Sequence, residues 1–378
     1  MKIVIFTDTM DRKAMGTALY TRKLVENLLT IKPAGTEIFL VHREKNDDLL
    51  YQKTNEMILP KVRLPKFGRF FSEAFFLWKT RQDFDIIHYP QESNYPLFWL
   101  SRAKIAITVH SAVEGWREFG GLKRRWWLIC WTFKFFQKRI AAIISVSQST
   151  QKSFRDFFRI PDDKIYVTYE AADEGFFKAR DKTAAAEKMS ELYKIPFPYI
   201  LNGGRIDPHK NAYRLIEAYA ILKKENKIPH YLVIGGRHLP AENKLVEKLI
   251  KKTGLEKEII FKPYIEERDL PDLYAAADLF VFPSLHEGFG LPILEAMAAG
   301  VPVITSNVFA MPEIAGGAAI LINPYDVKEI AAAMRKVLSD AVLVSQMVEK
   351  GRRRAREFSW EKTAKETLAV YRAISTIF

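Results

Sequence analysis

The chain of 378 residues is short of cysteine and of long apolar runs. Its single cysteine, Cys130, excludes an internal disulfide and favours a reducing compartment. The apolar run at residues 3–6 is too short for a signal peptide, and no other run is long enough to span a bilayer. These absences predict a cytoplasmic protein without a transmembrane segment.

Two nucleotide-binding motifs are also missing. There is no GxGxxG string, which argues against a dinucleotide-dependent oxidoreductase, and there is no Walker A string. What is present is an ordinary globular composition, with 48% hydrophobic and 27% charged residues. A chain of this length is too long for one compact core, so two domains are expected.

The excess of positive charge is unevenly distributed. The first 200 residues carry 33 Lys and Arg against 23 Asp and Glu, and residues 101–140 alone carry 9 against 2. A local excess of this kind indicates an anionic partner, which could be nucleic acid, a membrane surface or a phosphorylated acceptor. The alternative is a basic face that is merely solvated.

Apolar strands alternate with helical periodicity along the whole chain, which predicts an α/β protein with two doubly wound, Rossmann-like parallel sheets. Residues 1–180 form the first expected domain and residues 195–359 the second. The charged, Ala-rich residues 172–198 look like the connection, and the final helix at 360–378 could cross back onto the first domain. Strands are expected at residues 2–6, 38–41, 85–89, 104–110, 141–147, 164–168, 199–205, 231–236, 258–261, 279–283, 303–304 and 319–322.

The most informative stretch is EGFGLPILEAMAAGVPVITSN, at residues 287–307. A glycine turn precedes a helix-forming run, and such a helix start exposes backbone N–H groups to an anion. Pro292 fits the first helical position and Gly300 ends the helix. Glu287 stays on the loop, while Glu295 projects from about one turn inside the helix. The pattern predicts a phosphate-binding turn flanked by two carboxylates, suited to a ligand that carries a diphosphate and hydroxyls.

Three strings carry a family resemblance: GGRIDPHKN, FKPYIEERDLPDLYAAADLFVFPS and HEGFGLPILEAMAAGVPVITSN. Together with two doubly wound domains, they resemble the retaining GT-B glycosyltransferases, and more narrowly the group 1 family (glycosyltransferase family 4). The resemblance covers most of the chain and is most specific over residues 200–325. It implies that a hexose, with mannose favoured, moves from GDP-mannose or a UDP-hexose to a lipid-linked glycan, surface polysaccharide or glycolipid.

The resemblance also implies roles for single residues. Arg205 and Lys210 match the two cations that hold the donor diphosphate in place of a divalent metal. Glu287 matches the first glutamate of the E-x7-E signature, near the donor sugar, and Glu295 matches the second, which accepts the ribose hydroxyls. His110 aligns with a first-domain histidine that faces the donor sugar across the cleft. The expected catalytic residues are therefore His110, Arg205, Lys210 and Glu287.

The wider donor site adds glycine loops and backbone groups, with Tyr264 and Ile265 placed where the family holds the base edge. No cofactor and no metal is expected, and the implied mechanism is same-face attack on the donor sugar. Asp83-x-Asp85 resembles a metal motif, but it precedes a strand, whereas ligand sites follow strands. The expected donor-binding residues are Gly16, Gly204, Arg205, Lys210, Gly235, Tyr264, Ile265, Glu287, Gly288, Phe289, Gly290, Leu291 and Glu295.

Residues 122–139 are both basic and aromatic, and residues 66–78 have a similar character. Such a helix can lie in an anionic membrane interface, which would suit a lipid-linked acceptor and a peripheral position on the inner face of the cytoplasmic membrane. The alternative is a helix packed on the first sheet with its aromatics in the core. Lys123, Arg124, Arg125, Trp126 and Trp127 are the expected membrane or acceptor residues. The expected apolar face comprises Trp126, Trp127, Ile129, Cys130, Phe133, Phe136 and Gln137.

Other functions remain open at this point. A UDP-glucose or UDP-GlcNAc transferase of the same fold, or a non-catalytic nucleotide-sugar-binding relative, would share the motifs. A nucleic-acid-binding protein would use the basic aromatic segment but would leave the second domain unexplained, so no nucleic-acid partner is expected.

Overall fold

The computed structural model describes residues 1–11, 16–45, 48–62, 68–91, 95–118, 126–203, 207–226, 228–236 and 240–376. It divides into two compact units. Unit 1 comprises Met1–Glu170 and Ser359–Phe378, and unit 2 comprises Ala171–Phe358. Among the described residues, no helix combines the length and the apolar character needed to cross a bilayer.

Strands and helices alternate along the chain, as the hydrophobic pattern predicts. Short 3-10 helices lie at Tyr95–Leu100, Gln137–Arg139, Asp162–Lys164, Pro208–Lys210 and Glu267–Asp269. The remaining elements are β1 (Lys2–Phe6), α1 (Gly16–Ile31), β2 (Glu37–His42), α2 (Leu49–Gln52), β3 (Asn55–Ile58), α3 (Gly68–Lys79), β4 (Ile86–Tyr89), β5 (Lys104–Val109), α4 (Val113–Glu118), α5 (Trp126–Phe136), β6 (Ile140–Ser145), α6 (Gln148–Phe158), β7 (Ile165–Val167), α7 (Glu174–Phe177), α8 (Lys182–Tyr193), β8 (Tyr199–Gly203), α9 (Ala212–Asn226), β9 (Tyr231–Gly235), α10 (Pro240–Thr253), β10 (Ile259–Lys262), α11 (Leu270–Ala275), β11 (Leu279–Phe282), α12 (Leu291–Ala299), β12 (Val303–Ser306), α13 (Met311–Ala315), β13 (Ile320–Ile322), α14 (Val327–Ser339), α15 (Ala341–Ala355) and α16 (Trp360–Ser375).

Unit 1 contains a seven-stranded parallel sheet in the order β3-β2-β1-β4-β5-β6-β7. Its central strands are buried along their length, which explains why they are nearly continuous apolar runs. The winding direction reverses between β1 and β4. In an open sheet of this kind the reversal, or topological switch point, opens a crevice beyond the carboxyl ends of the two strands.

Unit 2 repeats the plan with six parallel strands in the order β10-β9-β8-β11-β12-β13. Here the switch point lies between β8 and β11. The helices cover both faces of the sheet, and the core is formed largely by isoleucine, leucine and valine side chains. The two doubly wound sheets confirm the predicted fold class.

The carboxyl-terminal helix α16 packs in unit 1, against α1 and the sheet. The Tyr371 hydroxyl lies 2.6 Å from His88 Nδ1, and Thr108 Oγ1 lies 2.8 Å from His88 Nε2. Burial, followed by the charge of His110, lowers the pKa of His88 to about 3. His88 is therefore a neutral buried group that links α16 to β4 and β5.

Three details differ from the sequence prediction. Residues 172–198 are more than a connection, because they form α7 and α8, and Arg180 Nε donates to Asp272 Oδ1 at 2.8 Å within unit 2. The edge strand β3 was not expected. Its residues are partly exposed on both faces and give little hydrophobic signal. Helix α12 begins one residue before Pro292, which therefore occupies its second position.

Candidate active site

The candidate site lies at the switch point of unit 2, beyond the carboxyl ends of β8 and β11. The loop after β8 leads into the 3-10 turn that carries Lys210, and the loop after β11 carries Glu287. Leu285 N donates to His209 O at 2.7 Å, so the two loops are joined directly through their backbones. Residues that are 77 positions apart in the sequence are thereby brought to one place.

Lys210 and Glu287 form the charged centre of the site. Lys210 Nζ donates to Glu287 Oε1 at 2.7 Å, and the two side chains are only 17% and 13% exposed. The ammonium group also lies over the Phe282 ring, 4.9 Å from its centroid. Burial on its own raises the pKa of Glu287, but the positive charges of Lys210 and His209 outweigh it, so that pKa is lowered. Glu287 is therefore ionised and paired at neutral pH.

Asn211 holds this arrangement in place, and sequence reasoning did not single it out. It has a left-handed backbone with φ of 58°, which asparagine tolerates better than most residues. Its side-chain amide donates to Pro283 O at 3.0 Å and to Pro324 O at 2.7 Å. The residue directly after Lys210 is thus fixed to the loop that leads to Glu287.

Helix α12 begins at the glycine turn beside this pair. Gly290 is its N-cap residue with φ of 99°, a conformation that favours glycine, and Gly300 ends the helix with φ of 81°. The first N–H groups of a helix have no partner within the helix, and the helix dipole favours negative charge there. The predicted turn–helix arrangement is therefore present.

Glu295 projects from α12 and is held by Tyr274 of α11, which sequence reasoning also missed. The Tyr274 hydroxyl donates to Glu295 Oε2 at 2.8 Å, and the tyrosine itself is 4% exposed. Burial and then the charge of Glu295 raise the pKa of Tyr274 well above its usual range, so the hydroxyl remains a donor. A Cβ atom at Gly203 would meet the Tyr274 hydroxyl oxygen at 2.8 Å, which explains why glycine ends β8.

The remaining donor-site predictions fall in three places. Gly235 ends β9 in open space, since a Cβ there would meet nothing within 4 Å. Tyr264 is 56% exposed after β10, and the neighbouring Ile265 is 8% exposed. Gly204 and Arg205 lie outside the described residues.

The remaining candidates, His110 and Gly16, belong to unit 1. His110 follows β5, and its Nε2 donates to Pro90 O at 2.8 Å while its Nδ1 lies 3.1 Å from Glu170 Oε1. The Tyr20 ring meets the imidazole edge-on at 4.7 Å. Glu170 was assigned no role from sequence, and only the structure brings it to the histidine. Gly16 is the exposed first residue of α1.

In the basic aromatic segment, the side of α5 that is exposed differs from the predicted apolar face. Cys130 and Phe133 are buried in the core of unit 1, whereas Trp127, Trp131 and Phe135 are exposed. The predicted face joined residues that point in opposite directions, because nothing in the pattern shows which side of α5 meets the sheet. Lys123, Arg124 and Arg125 lie outside the described residues, and so does the side chain of Trp126.

The unit 2 site combines a paired cation, a helix start and a fixed carboxylate. The cation and the helix start suit negative charge, and the Glu295 carboxylate suits hydroxyl donors. Within the described ranges, no cluster of His, Cys, Asp and Glu side chains is arranged to hold a metal ion. Asp85, of the Asp83-x-Asp85 string, accepts the Lys2 N–H at 2.7 Å at the amino-terminal edge of the unit 1 sheet.

Two family models match the chain, one in each half. Residues 16–175 match the model described as "Glycosyltransferase Family 4", and residues 183–354 match "Glycosyl transferases group 1". Two doubly wound sheets with these matches define a glycosyltransferase fold of the GT-B class. The chain belongs to the group 1 glycosyltransferase family.

Mannosyltransferases are among its similar proteins. "O-antigen chain mannosyltransferase B" of Escherichia coli is 34% identical over 233 residues, which cover 61% of this chain and 60% of that protein. The "MMP alpha-(1->4)-mannosyltransferase" of Mycolicibacterium hassiacum is 29% identical over 306 residues, which cover 77% of this chain and 71% of that protein. A sucrose-phosphate synthase from Thermosynechococcus elongatus has a similar structure, with a TM-score of 0.79 at 21% identity and 98% coverage of both chains.

The match to the first of these relatives spans less than two thirds of that protein's length, at 60%. The similarity establishes the family and the fold, and it does not extend to the substrates or partners of this chain.

Proposed function

We propose that this protein transfers mannose from GDP-mannose to a lipid-linked or surface polysaccharide acceptor, with retention at the anomeric carbon and without a metal. The observation that carries the proposal is the Lys210–Glu287 pair, whose Glu287 lies on the loop that leads into α12. The same helix carries Glu295. The mannosyltransferase relatives favour mannose as the sugar.

Each group of the site has a task in this reaction. The Lys210 ammonium and the start of α12 stabilise the charge that develops on the departing diphosphate, a large electrostatic contribution to such a transfer. Arg205 is assigned the same task from its place in the motif. Glu295 accepts hydrogen bonds from the ribose hydroxyls, and Glu287 is assigned to the donor sugar from its place in the E-x7-E signature. The assignment relies on positioning and charge stabilisation rather than on a protein nucleophile.

The test is a transfer assay with radiolabelled GDP-mannose and a lipid-linked glycan acceptor, with UDP-glucose and UDP-GlcNAc in parallel. We expect transfer from GDP-mannose that persists in EDTA, and an α-linked product. Transfer only from a UDP-sugar would show that the donor is that UDP-sugar and not GDP-mannose. Loss of activity in EDTA would contradict the metal-free mechanism. Unchanged transfer in an Arg205→Ala, Lys210→Ala double variant would contradict the diphosphate assignment.

A membrane surface is the proposed location of the acceptor. Helices α3 and α5 both pack against the Tyr95–Leu100 segment, and each presents a row of exposed aromatic side chains. The only acidic residue on the two helices, Glu73, is buried, while Arg69, Lys79 and Lys134 are exposed. Aromatic rings flanked by cations suit the interface of an anionic bilayer. The row comprises Phe71, Phe75 and Trp78 on α3, Trp99 beside them, and Trp127, Trp131 and Phe135 on α5.

Co-sedimentation with phosphatidylglycerol vesicles, compared with phosphatidylcholine vesicles, tests this location. We expect binding to the anionic vesicles that is lost in Trp127→Ala, Trp131→Ala while the melting temperature stays unchanged, because both side chains are exposed. Leu192→Ala, at an exposed position in unit 2, is the matched control. Equal binding to both vesicle types, or no effect of the tryptophan variant, would refute the membrane location.

A further inference from the structure

Helix α15 packs against α12, the helix that begins at the candidate site. A Cβ atom at Gly351 of α15 would meet Met297 Cγ at 3.2 Å and Met297 Cα at 3.6 Å, so the two helices approach closely there. Glycine suits a position where one backbone comes this near to another element. The placement of α15 therefore affects where α12 can lie.

Two arginines of α15 each lie against the end of a neighbouring helix. A Cβ atom at Gly300, the C-cap of α12, would meet Arg352 Cζ at 2.8 Å. A Cβ atom at Gly316, the C-cap of α13, would meet Arg354 Cδ at 2.8 Å. Glycine supplies the left-handed backbone of both caps and leaves room for the arginine side chains. Cations at these places are also favoured by the partial negative charge of a helix end.

Arg354 is held by the last turn of α13. Its Nε donates to Ile314 O at 3.1 Å, and its Nη2 donates to Glu313 O at 2.6 Å. Both carbonyl groups lie in the turn of a helix that lacks partners within the helix. The Nη1 group pairs with Glu357, and the arginine side chain is 22% exposed. Because the guanidinium group is planar and has two backbone acceptors, its orientation is fixed.

The same guanidinium group supports two buried aromatic rings. Arg354 Cζ lies over the Phe358 ring, 4.6 Å from its centroid. Phe358 in turn meets Phe289 edge-on, with ring centroids 6.1 Å apart. The two phenylalanines are 7% and 4% exposed. Cation–π contacts and edge-to-face ring pairs are both attractive, so a row of contacts runs from the end of α13 to Phe289.

Phe289 belongs to the turn that leads into α12. It stands between Gly288 and Gly290, and Gly290 is the N-cap of the helix. Glycine on both sides gives this turn a wide choice of backbone conformations. Phe289 carries the only side chain of the three residues, so the contacts of its ring limit that choice.

We propose that Arg354 is a positioning residue for the donor site, which acts through Phe358 on Phe289 and thereby fixes the turn before α12. Its effect on the donor rests on the proposed function, since that turn is assigned to the donor phosphate and sugar. Arg354 contacts protein groups rather than substrate. Its loss should therefore weaken donor binding more than it lowers turnover.

A double-mutant cycle tests the path of action. Arg354→Met and Phe358→Leu should each raise the dissociation constant for GDP about three- to tenfold, the effect of one lost contact. Arg354→Lys keeps a cation near the Phe358 ring and should raise it less. If Arg354 acts through Phe358, adding Arg354→Met to Phe358→Leu should raise the constant no further. Effects that add fully in the double variant would overturn the proposal.

Arg139→Met is the matched control, in unit 1. Arg139 Nη2 donates to Ser101 O at 2.6 Å, and its guanidinium group lies 6.0 Å from the centroid of the Trp99 ring. The control should lower the melting temperature, as Arg354→Met does, and leave the dissociation constant for GDP unchanged. Equal changes of that constant in the two variants would contradict a specific role for Arg354.

A second measurement needs no ligand. In hydrogen–deuterium exchange of the full chain, peptides that cover residues 287–299 should exchange faster in Arg354→Met and Phe358→Leu than in the unchanged protein. Peptides that cover residues 231–235, in β9, should exchange as before. Unchanged exchange at 287–299 would refute the positioning role even if GDP binds. Faster exchange there would support it even if neither GDP nor UDP binds, an outcome that would remove the proposed donor function.

Discussion

Lys210 and Glu287 meet at 2.7 Å at the switch point of unit 2, where two loops that are far apart in the sequence are joined. Because both side chains are largely buried, each one is the other's counter-charge. Removing one partner of such a pair leaves an uncompensated buried charge, which is more costly than removing both.

Lys210→Met should therefore lower both stability and activity. We expect a loss of about 3–5 kcal/mol in the free energy of unfolding, since Glu287 loses its counter-charge. Turnover should fall about 10²- to 10³-fold, the usual effect of losing one stabilising donor in the transition state. Urea unfolding and donor turnover check the two effects.

The double variant Lys210→Met, Glu287→Gln separates stability from function. It should recover most of the lost stability, because no buried charge remains, and it should stay inactive. If the double variant regained activity together with stability, Lys210 would have only a structural role.

Tyr274→Phe should weaken donor binding specifically. The hydroxyl holds Glu295 in place, so its loss should raise the KM for the nucleotide sugar about three- to tenfold with a smaller change in kcat. Tyr219→Phe is a suitable control, since the buried Tyr219 donates a hydroxyl hydrogen bond to His230 O at 2.8 Å, and neither residue belongs to α11 or α12. Equal effects of the two variants on the donor KM would refute the role of Tyr274.

Gly203→Ala tests the close approach of Gly203 to the Tyr274 hydroxyl, which holds Glu295. The added methyl group would lie 2.8 Å from the Tyr274 hydroxyl and 3.3 Å from the Phe280 ring. We expect a loss of about 1–3 kcal/mol in the free energy of unfolding, together with weaker nucleotide binding. Gly235→Ala, in open space at the end of β9, should leave the free energy of unfolding unchanged. Thermal unfolding with and without GDP compares the two variants.

His88 should make stability depend on pH. Its pKa is about 3 in the folded protein and about 6.5 when unfolded, so the unfolded state binds the proton first as the pH falls. Stability is thus full above pH 6.5 and is lost progressively between pH 6.5 and pH 3, by about 2 kcal/mol at pH 5. His88→Gln should be less stable at pH 7, and it should not lose this stability as the pH falls. If urea unfolding showed the same dependence of stability on pH in His88→Gln and in the unchanged protein, the assignment to His88 would be contradicted.

Most of the sheet architecture could be predicted from the sequence alone, because buried parallel strands are continuous apolar runs such as Ile3–Phe6 and Leu279–Phe282. It also placed Lys210, Glu287 and Glu295 correctly at strand ends and on a helix. Tyr274 could not be recognised, since a tyrosine within an apolar helix looks like any other core residue. Its role depends on the packing of α11 against α12, which no local pattern shows.

The same limit explains the α5 helix. Its residues are apolar on nearly every side, so the periodicity did not show which face the sheet would cover. Phe133 proved buried and Trp131 exposed. Glu170 likewise gained meaning only when β5 and β7 placed it beside His110. Residues that act through a partner distant in the sequence are the ones that sequence reasoning misses.

The most direct test of the central claim is a crystal structure of the protein with GDP. The account predicts that the diphosphate lies at the start of α12 within reach of Lys210, and that Glu295 accepts both ribose hydroxyls while remaining bonded to Tyr274. A nucleotide bound elsewhere, or a ribose that makes no contact with Glu295, would contradict it.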